Sequence, residues 1–168
     1  FVFDVEPFDV YTIRAKKEGF EDNTIAFESN SGKDKNYGVT LAMDPTKAEI
    51  VEVEDKLMIS IENIYFDFNK WMIKQESTIS LNKIVDVLNE NPEMKIEVNA
   101  HTDARGKASY NLSLSERRAA STMKYLIDKG IDASRLVSKG YGETQPLFDC
   151  DSNCSEEQHE LNRRIEFV

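Results

Sequence analysis

Long apolar runs are missing from this chain. Nothing approaches the roughly 20 consecutive apolar residues that a membrane-spanning helix requires, so the 40% of hydrophobic residues must be spread through folded elements. Basic charge is also scarce. Twenty-one Lys and Arg against 31 Asp and Glu give a formal net charge of −10, which opposes contact with nucleic acid phosphates or anionic lipid surfaces. Nucleic acid is therefore not an expected partner. Only two histidines occur, His101 and His159. With no His-Glu-x-x-His, no Gly-x-Ser-x-Gly and no phosphate-binding glycine loop, no metal, no cofactor and no catalytic site are expected. The opening Phe1-Val2-Phe3-Asp4 lacks an initiator Met, a basic segment and an apolar segment of a leader. It reads as a piece of a longer protein.

Cysteine is nearly absent as well. Cys150 and Cys154 lie in a polar stretch, residues 149–157, that reads as a loop. Their spacing can close a small disulfide if the backbone turns, and such bonds persist in oxidising compartments such as the bacterial periplasm. A half zinc site with His159, or two free thiols, are the rival readings. One His and two Cys do not complete a tetrahedral site.

A chain of 168 residues holds one ordinary domain with at most a smaller companion, and the pattern changes once. Residues 10–15, 24–27 and 37–43 are β-branched, aromatic or alternating, with a turn cluster at 30–34 and Asp44-Pro45 as a stop. These predict about three short strands. Residues 47–57 are charged and lack Gly, the pattern of a linker or a short strand. Beyond them strand and helix periods alternate: strands at 63–68, 95–100, 135–140 and 163–168, and helices at 74–89 and 112–129, the second closed by Gly130. The expected organisation is a small β-rich segment at 1–46, a linker at 47–58 and an α/β (α+β) domain at 59–168. Its sheet is expected to be mixed, with helices packed on one face.

The most informative stretch is His101-Thr102-Asp103-Ala104-Arg105-Gly106 followed by Tyr110-Asn111-Leu112-Ser113-Leu114-Ser115-Glu116-Arg117-Arg118-Ala119. Asp103 falls just past a strand end in a Gly-containing loop, and Arg118 in the first two turns of the next helix. A strand-loop-helix unit folds back on itself, so the two can face one another. Asp103 can then accept from an ammonium group while the Arg118 guanidinium pairs bidentately with a carboxylate.

With Tyr65-Phe66-Asp67-Phe68-Asn69, Gly140-Tyr141-Gly142 with Pro146, and Asn162-Arg163-Arg164 in the same order, this stretch resembles the OmpA-like peptidoglycan-binding domain. The likeness runs from about residue 64 to the last residue. The first 43 residues resemble, on a slighter motif, the end of a carboxypeptidase-regulatory-like or immunoglobulin-like β-sandwich, whose protein partner, if any, the motif does not identify. The OmpA-like resemblance implies a non-catalytic wall anchor on the periplasmic face of the outer membrane, tied to that membrane through regions outside this chain. It also implies a ligand: the diaminopimelate of the peptidoglycan stem peptide, with Asp103 on its ammonium and Arg118 on its carboxylate. Phe68 and Asn69 would line the pocket, Thr102 and Asn111 would add polar contacts, and Leu114 would form an apolar wall. The periplasmic setting favours the disulfide between Cys150 and Cys154. Asn69 replaces an Asp frequent in the family, and Ala100 a Gly. Taken singly, the residues have blander readings: Asp103 a turn residue, Arg118 a solvated helix residue, His101 a hydrogen-bonded structural residue. Asn162-Arg163-Arg164 reads as structural, with one Arg paired and the other exposed, and among the alternating aromatics only Phe68 is expected toward the loop side.

Overall fold

The structure is a computed structural model. It describes every residue except 1, 3, 7, 8, 18, 30–37, 54, 55, 62, 63, 67, 68 and 151–153. The chain divides into two compact units, Phe1–Thr46 and Lys47–Val168.

In the first unit β1 (Val10–Ala15) and β2 (Asn23–Glu28) pair antiparallel. Alternation along β1 leaves Tyr11, Ile13 and Ala15 half-buried. Tyr11 sits directly opposite Phe27, and the rings stack at 5.5 Å, a cross-strand pair of the kind that stabilises a ribbon. The expected turn at 30–34 lies outside the described residues, as does Tyr37. Residues 38–43, expected as a strand, form none. Instead Pro45 bridges Phe20, and among the described residues no strand pairs with the chain before it.

The second unit begins with β3 (Glu49–Val53) and β4 (Lys56–Ser60), an antiparallel pair. They occupy most of the stretch expected as a linker or short strand. Residues 63–68 show no strand among those described, only a bridge from Phe66 to Ile73. A 3-10 turn at Gln75–Ser77 leads into α1 (Thr78–Glu90). Leu81, Ile84, Val85 and Leu88 recur at helical spacing and are all buried. The helix stops where Asn91 returns its side chain to the Val87 carbonyl at 2.8 Å and Pro92 follows.

The central strand is β5 (Ile96–His101). It pairs in parallel with β6 (Leu136–Gly142) and antiparallel with β7 (Ile165–Phe167). The sheet is therefore mixed, as expected, and β5 is buried along nearly its whole length. A parallel pair needs a crossover, supplied by α2 (Ala108–Asp128), which packs across β5 and β6. The helix starts four residues before the expected position, after an extended Lys107. It ends on Gly130 at φ 98, where Gly130 and Ile131 donate to the carbonyls of Ile127 and Leu126, a Schellman cap. Gly140 is dictated by how close α2 approaches: a Cβ there would stand 2.2 Å from the Glu116 backbone nitrogen. Ser115 Oγ accepts the Gly142 N–H at 2.8 Å, tying helix to strand.

A third helix, α3 (Glu156–Asn162), starts within the last two residues of the stretch 149–157 expected to be loop and continues beyond it, where no element was expected. Ser155 and Gln158 form a reciprocal capping box, whose Ser-x-x-Gln pattern marks a helix start.

Candidate functional site

The crossover β5-α2-β6 places the loop 102–107 at the carboxyl end of a central strand, where open sheets leave a crevice. Thr102 donates its backbone N–H to the Gly142 carbonyl at 2.8 Å, and Asn111 secures the loop from the first turn of α2. The Asn111 amide donates to the carbonyls of Asp103 and Arg105 at 3.2 and 3.3 Å and to Glu143 Oε2 at 2.6 Å. Thus the asparagine expected as a ligand contact also builds the loop. Among the described residues the buried Thr102 hydroxyl has no hydrogen-bond partner, an uncommon condition for a polar atom.

A cavity of about 790 Å3 opens here. Asp103, Arg118, Asn69, Thr102, Asn111 and Leu114 all line it, together with Phe66, Tyr110, Arg105, Glu156 and Arg163. Six of the seven residues singled out from sequence are thereby brought together. The seventh, Phe68, lies outside the described residues. Phe66 lines the cavity, which corrects the expectation that among the alternating aromatics only Phe68 faces the loop side. Asn69 adopts φ 55, left-handed backbone that Asn tolerates better than most residues.

The two charged groups differ in environment. Asp103 is buried, and its carboxylate is held by two arginines: Oδ2 accepts Arg105 Nε at 3.0 Å, Arg105 Nη2 at 2.7 Å and Arg163 Nη1 at 2.6 Å, while Oδ1 accepts the Arg105 N–H at 3.1 Å. Burial alone would raise its pKa, but these bonds outweigh it, and the carboxyl sits below the usual range. It is charged at neutral pH. Arg118 is also buried, at 8% exposure. Its Nε donates to the Lys70 carbonyl at 3.1 Å and its guanidinium lies 4.8 Å from the centre of the Phe66 ring. Among the described residues no carboxylate stands within ion-pair distance of it. Burial first, and the positive charge of Arg163 next, lower its pKa, while Tyr110 and Asp103 pull the other way. A buried cation facing an open cavity without a partner anion is an anion-binding arrangement.

Residues 65–160 match the model of the OmpA family. The chain belongs to the OmpA family. Among its relatives are the outer membrane porin F of Pseudomonas fluorescens, 34% identical over 71% of this chain and 33% of the relative, and the peptidoglycan-associated lipoprotein of Brucella melitensis, 33% identical over 55% of each. A 115-residue segment is 36% identical to part of a photosystem I P700 chlorophyll a apoprotein A2 from Gloeobacter violaceus, covering 67% of this chain and 13% of that protein. The chain thus spans between 13% and 55% of the length of these relatives. Among solved structures, the type VI secretion system cell wall anchor of Pseudomonas aeruginosa superposes with a TM-score of 0.56 at 25% identity, over 72% of this chain and 85% of that one.

The OmpA-family fold is one of structural anchors and not of enzymes. Within it, Cys150 and Cys154 form a disulfide, which removes the half zinc site and the free thiols from consideration. The bond lies just before α3, whose first residue, Glu156, pairs with Arg105 at 2.8 Å and Arg163 at 3.0 Å. Arg163 was missed as a cavity residue. Neither arginine of the pair is fully exposed, for Arg164 bonds Glu166 at 2.7 Å and the Gln145 carbonyl at 3.2 Å. Both arginines of the motif are paired with carboxylates, which corrects the expectation of one exposed partner. The signal was the doublet Arg163-Arg164 at the entry to a strand: successive residues point to opposite faces, so one could reach the loop. His101 is buried and stacks on Tyr141 at 5.1 Å. Its Nε2 stands 3.5 Å from Glu166 Oε2, a long contact, and neither ring nitrogen has a hydrogen-bond partner of good geometry among the described residues, so packing holds it, which corrects the expectation of a hydrogen-bonded residue.

Proposed function

We propose that this OmpA-family domain binds peptidoglycan through the diaminopimelate of the stem peptide and so anchors an envelope protein to the cell wall. The observation that carries the reading is the pairing, on one cavity, of an ionised Asp103 with a buried Arg118 that lacks a partner carboxylate among the described residues. Diaminopimelate presents an ammonium and a carboxylate on one carbon. Arg118 offers a planar fork to the carboxylate, Asp103 accepts from the ammonium, and Leu114 with Phe66 forms the apolar wall along the methylene chain. Asn69 and Thr102 supply further polar contacts, Thr102 through a hydroxyl that has no hydrogen-bond partner among the described residues.

The relatives support the assignment: one is named a peptidoglycan-associated lipoprotein, another is described as a cell wall anchor. Outer membrane porins among them favour the periplasmic side of the outer membrane as the location. The mechanism is equilibrium anchoring without bond breaking, since a firmly charged acid and a firmly charged base are poor at proton transfer. Charge-assisted hydrogen bonds of roughly 1.5–3 kcal/mol each hold one stem peptide, and several copies along one wall add avidity.

Calorimetric titration with a diaminopimelate-containing muropeptide, beside a lysine-containing control, tests this. Saturable binding that is lost in Asp103→Ala and in Arg118→Ala, and weak for the control, is the expected result. No heat from the parent chain at millimolar ligand would rule the assignment out and leave a structural or protein-interaction module of the envelope.

A further inference from the structure

One oxygen of the carboxylate that should receive the ligand's ammonium is already crowded. Asp103 Oδ2 accepts three N–H groups, two from the Arg105 guanidinium and one from Arg163, against the two lone pairs an oxygen offers, whereas Oδ1 accepts the Arg105 backbone N–H. An ammonium that takes Oδ2 must therefore displace a donor. The two arginines are not equally free to leave. Arg163 is 31% exposed, whereas Arg105 is 52% exposed and sits on the loop itself. Both arginines already reach Glu156, Arg163 through one bond at 3.0 Å and Arg105 through two, from Nη1 and Nη2 at 2.8 and 3.2 Å, so Arg105 has the fuller second partner. Releasing Asp103 costs this side chain one ion pair and leaves it the other, with Glu156. Its backbone N–H can keep its bond to Oδ1 throughout and so keep the carboxylate aimed.

We propose that Arg105 is an intramolecular stand-in for the ligand's ammonium, occupying Asp103 in the free domain and withdrawing onto Glu156 when the ligand binds. The proposal rests on the reading of Asp103 as the ammonium site. Binding then becomes an exchange of one cation for another, and apparent affinity is reduced by the fraction of molecules in which Arg105 blocks the site. The penalty falls on the ammonium alone. Carboxylate recognition at Arg118 does not involve Arg105, so Arg105 sets how much a free amine is worth to this pocket. Glu156 acts through Arg105 and is a positioning residue.

Calorimetry on the whole 168-residue chain, with two probes, tests this. One is the stem tripeptide ending in diaminopimelate with its terminal amine free; the other is the same peptide with that amine acetylated. Arg105→Gln should bind the free-amine peptide about fivefold more tightly, the worth of one half-exposed ion pair, and the acetylated peptide no better than the parent does. Arg105→Lys, which restores a cation, should return toward parental affinity. Glu156→Gln should weaken binding of the free-amine peptide, and less so in the Arg105→Gln background. Parental or weaker binding of the free-amine peptide by Arg105→Gln, in a parent whose binding Arg118→Ala abolishes, overturns this proposal alone. An equal gain for the acetylated peptide also overturns it. Failure of parent and Arg105→Gln alike to bind either peptide removes the wall-ligand reading and this proposal with it.

Discussion

Replacing Arg118 with Met separates what the residue does for the fold from what it does for a ligand. Met has comparable reach and no charge. The substitution removes one hydrogen bond to the Lys70 carbonyl, worth about 1 kcal/mol, and the contact with the Phe66 ring, worth about 0.5–2 kcal/mol. Against this, it relieves a guanidinium that is 8% exposed and has no carboxylate beside it among the described residues; burying such a charge costs several kcal/mol. The lowered pKa of Arg118, caused first by burial, is the same cost seen from the proton's side. The opposing terms nearly cancel, so Arg118→Met should unfold in urea within about 1 kcal/mol of the parent, or later than it. Muropeptide affinity should fall more than about 100-fold, because a bidentate pair worth about 3 kcal/mol is lost. Urea denaturation and calorimetry on the same preparation give both quantities. A destabilisation beyond about 3 kcal/mol would make Arg118 a structural strut, and undiminished binding would show that the ligand goes elsewhere; either result refutes the reasoning.

Two further outcomes follow from the sheet. The Glu166 carboxyl is held down to about 2, by His101 first and then by Arg164, against the burial that opposes them. A depressed folded pKa stabilises the fold fully above the ordinary value of 4.5, and that stabilisation is lost as pH falls through about 2. Glu166→Gln should therefore lower stability by at most about 3 kcal/mol at pH 7 and flatten the fall in stability between pH 5 and pH 2; urea midpoints against pH check both, and a parallel pair of curves would count against the assignment. Gly140→Ala puts a methyl 2.2 Å from the Glu116 nitrogen, backbone that cannot step aside. It should cost about 3 kcal/mol or more, read as an earlier urea midpoint, and a neutral result would mean that α2 can lift from β6.

The parts of the fold legible in the residues were those with a period. Ile79, Ile84, Val85 and Leu88 announced α1, and the apolar alternation of 95–100 announced β5, because each repeats the geometry of its element. Residues 38–43 alternate too, but alternation states only that a segment could be a strand; a partner at the right register decides whether it is one. The short α3 has no apolar period over its seven residues, and only its capping box marked it. In the site, Asp103 and Arg118 were readable because a loop and the helix after it are local. Arg163 and Glu156 were not, since they reach Asp103 and Arg105 from 60 and 51 positions away, and no local pattern encodes such a meeting. The competition for Asp103 was hidden for the same reason.

The central position of β5 also fixes when the site can exist. Its parallel neighbour β6 arrives only after α2 has crossed, and its other neighbour β7 arrives later still, with Arg163 just ahead of it. Synthesis delivers the chain from its N-terminal end, at about 5–20 residues per second. A nascent chain that has exposed the loop 102–107 and α2 therefore carries Asp103 and Arg118 but neither Arg163 nor Glu156 to frame them, and β5 still has an open edge. The frame of the pocket is among the last parts of the chain to arrive, so a chain caught midway through synthesis presents Asp103 and Arg118 without the residues that surround them.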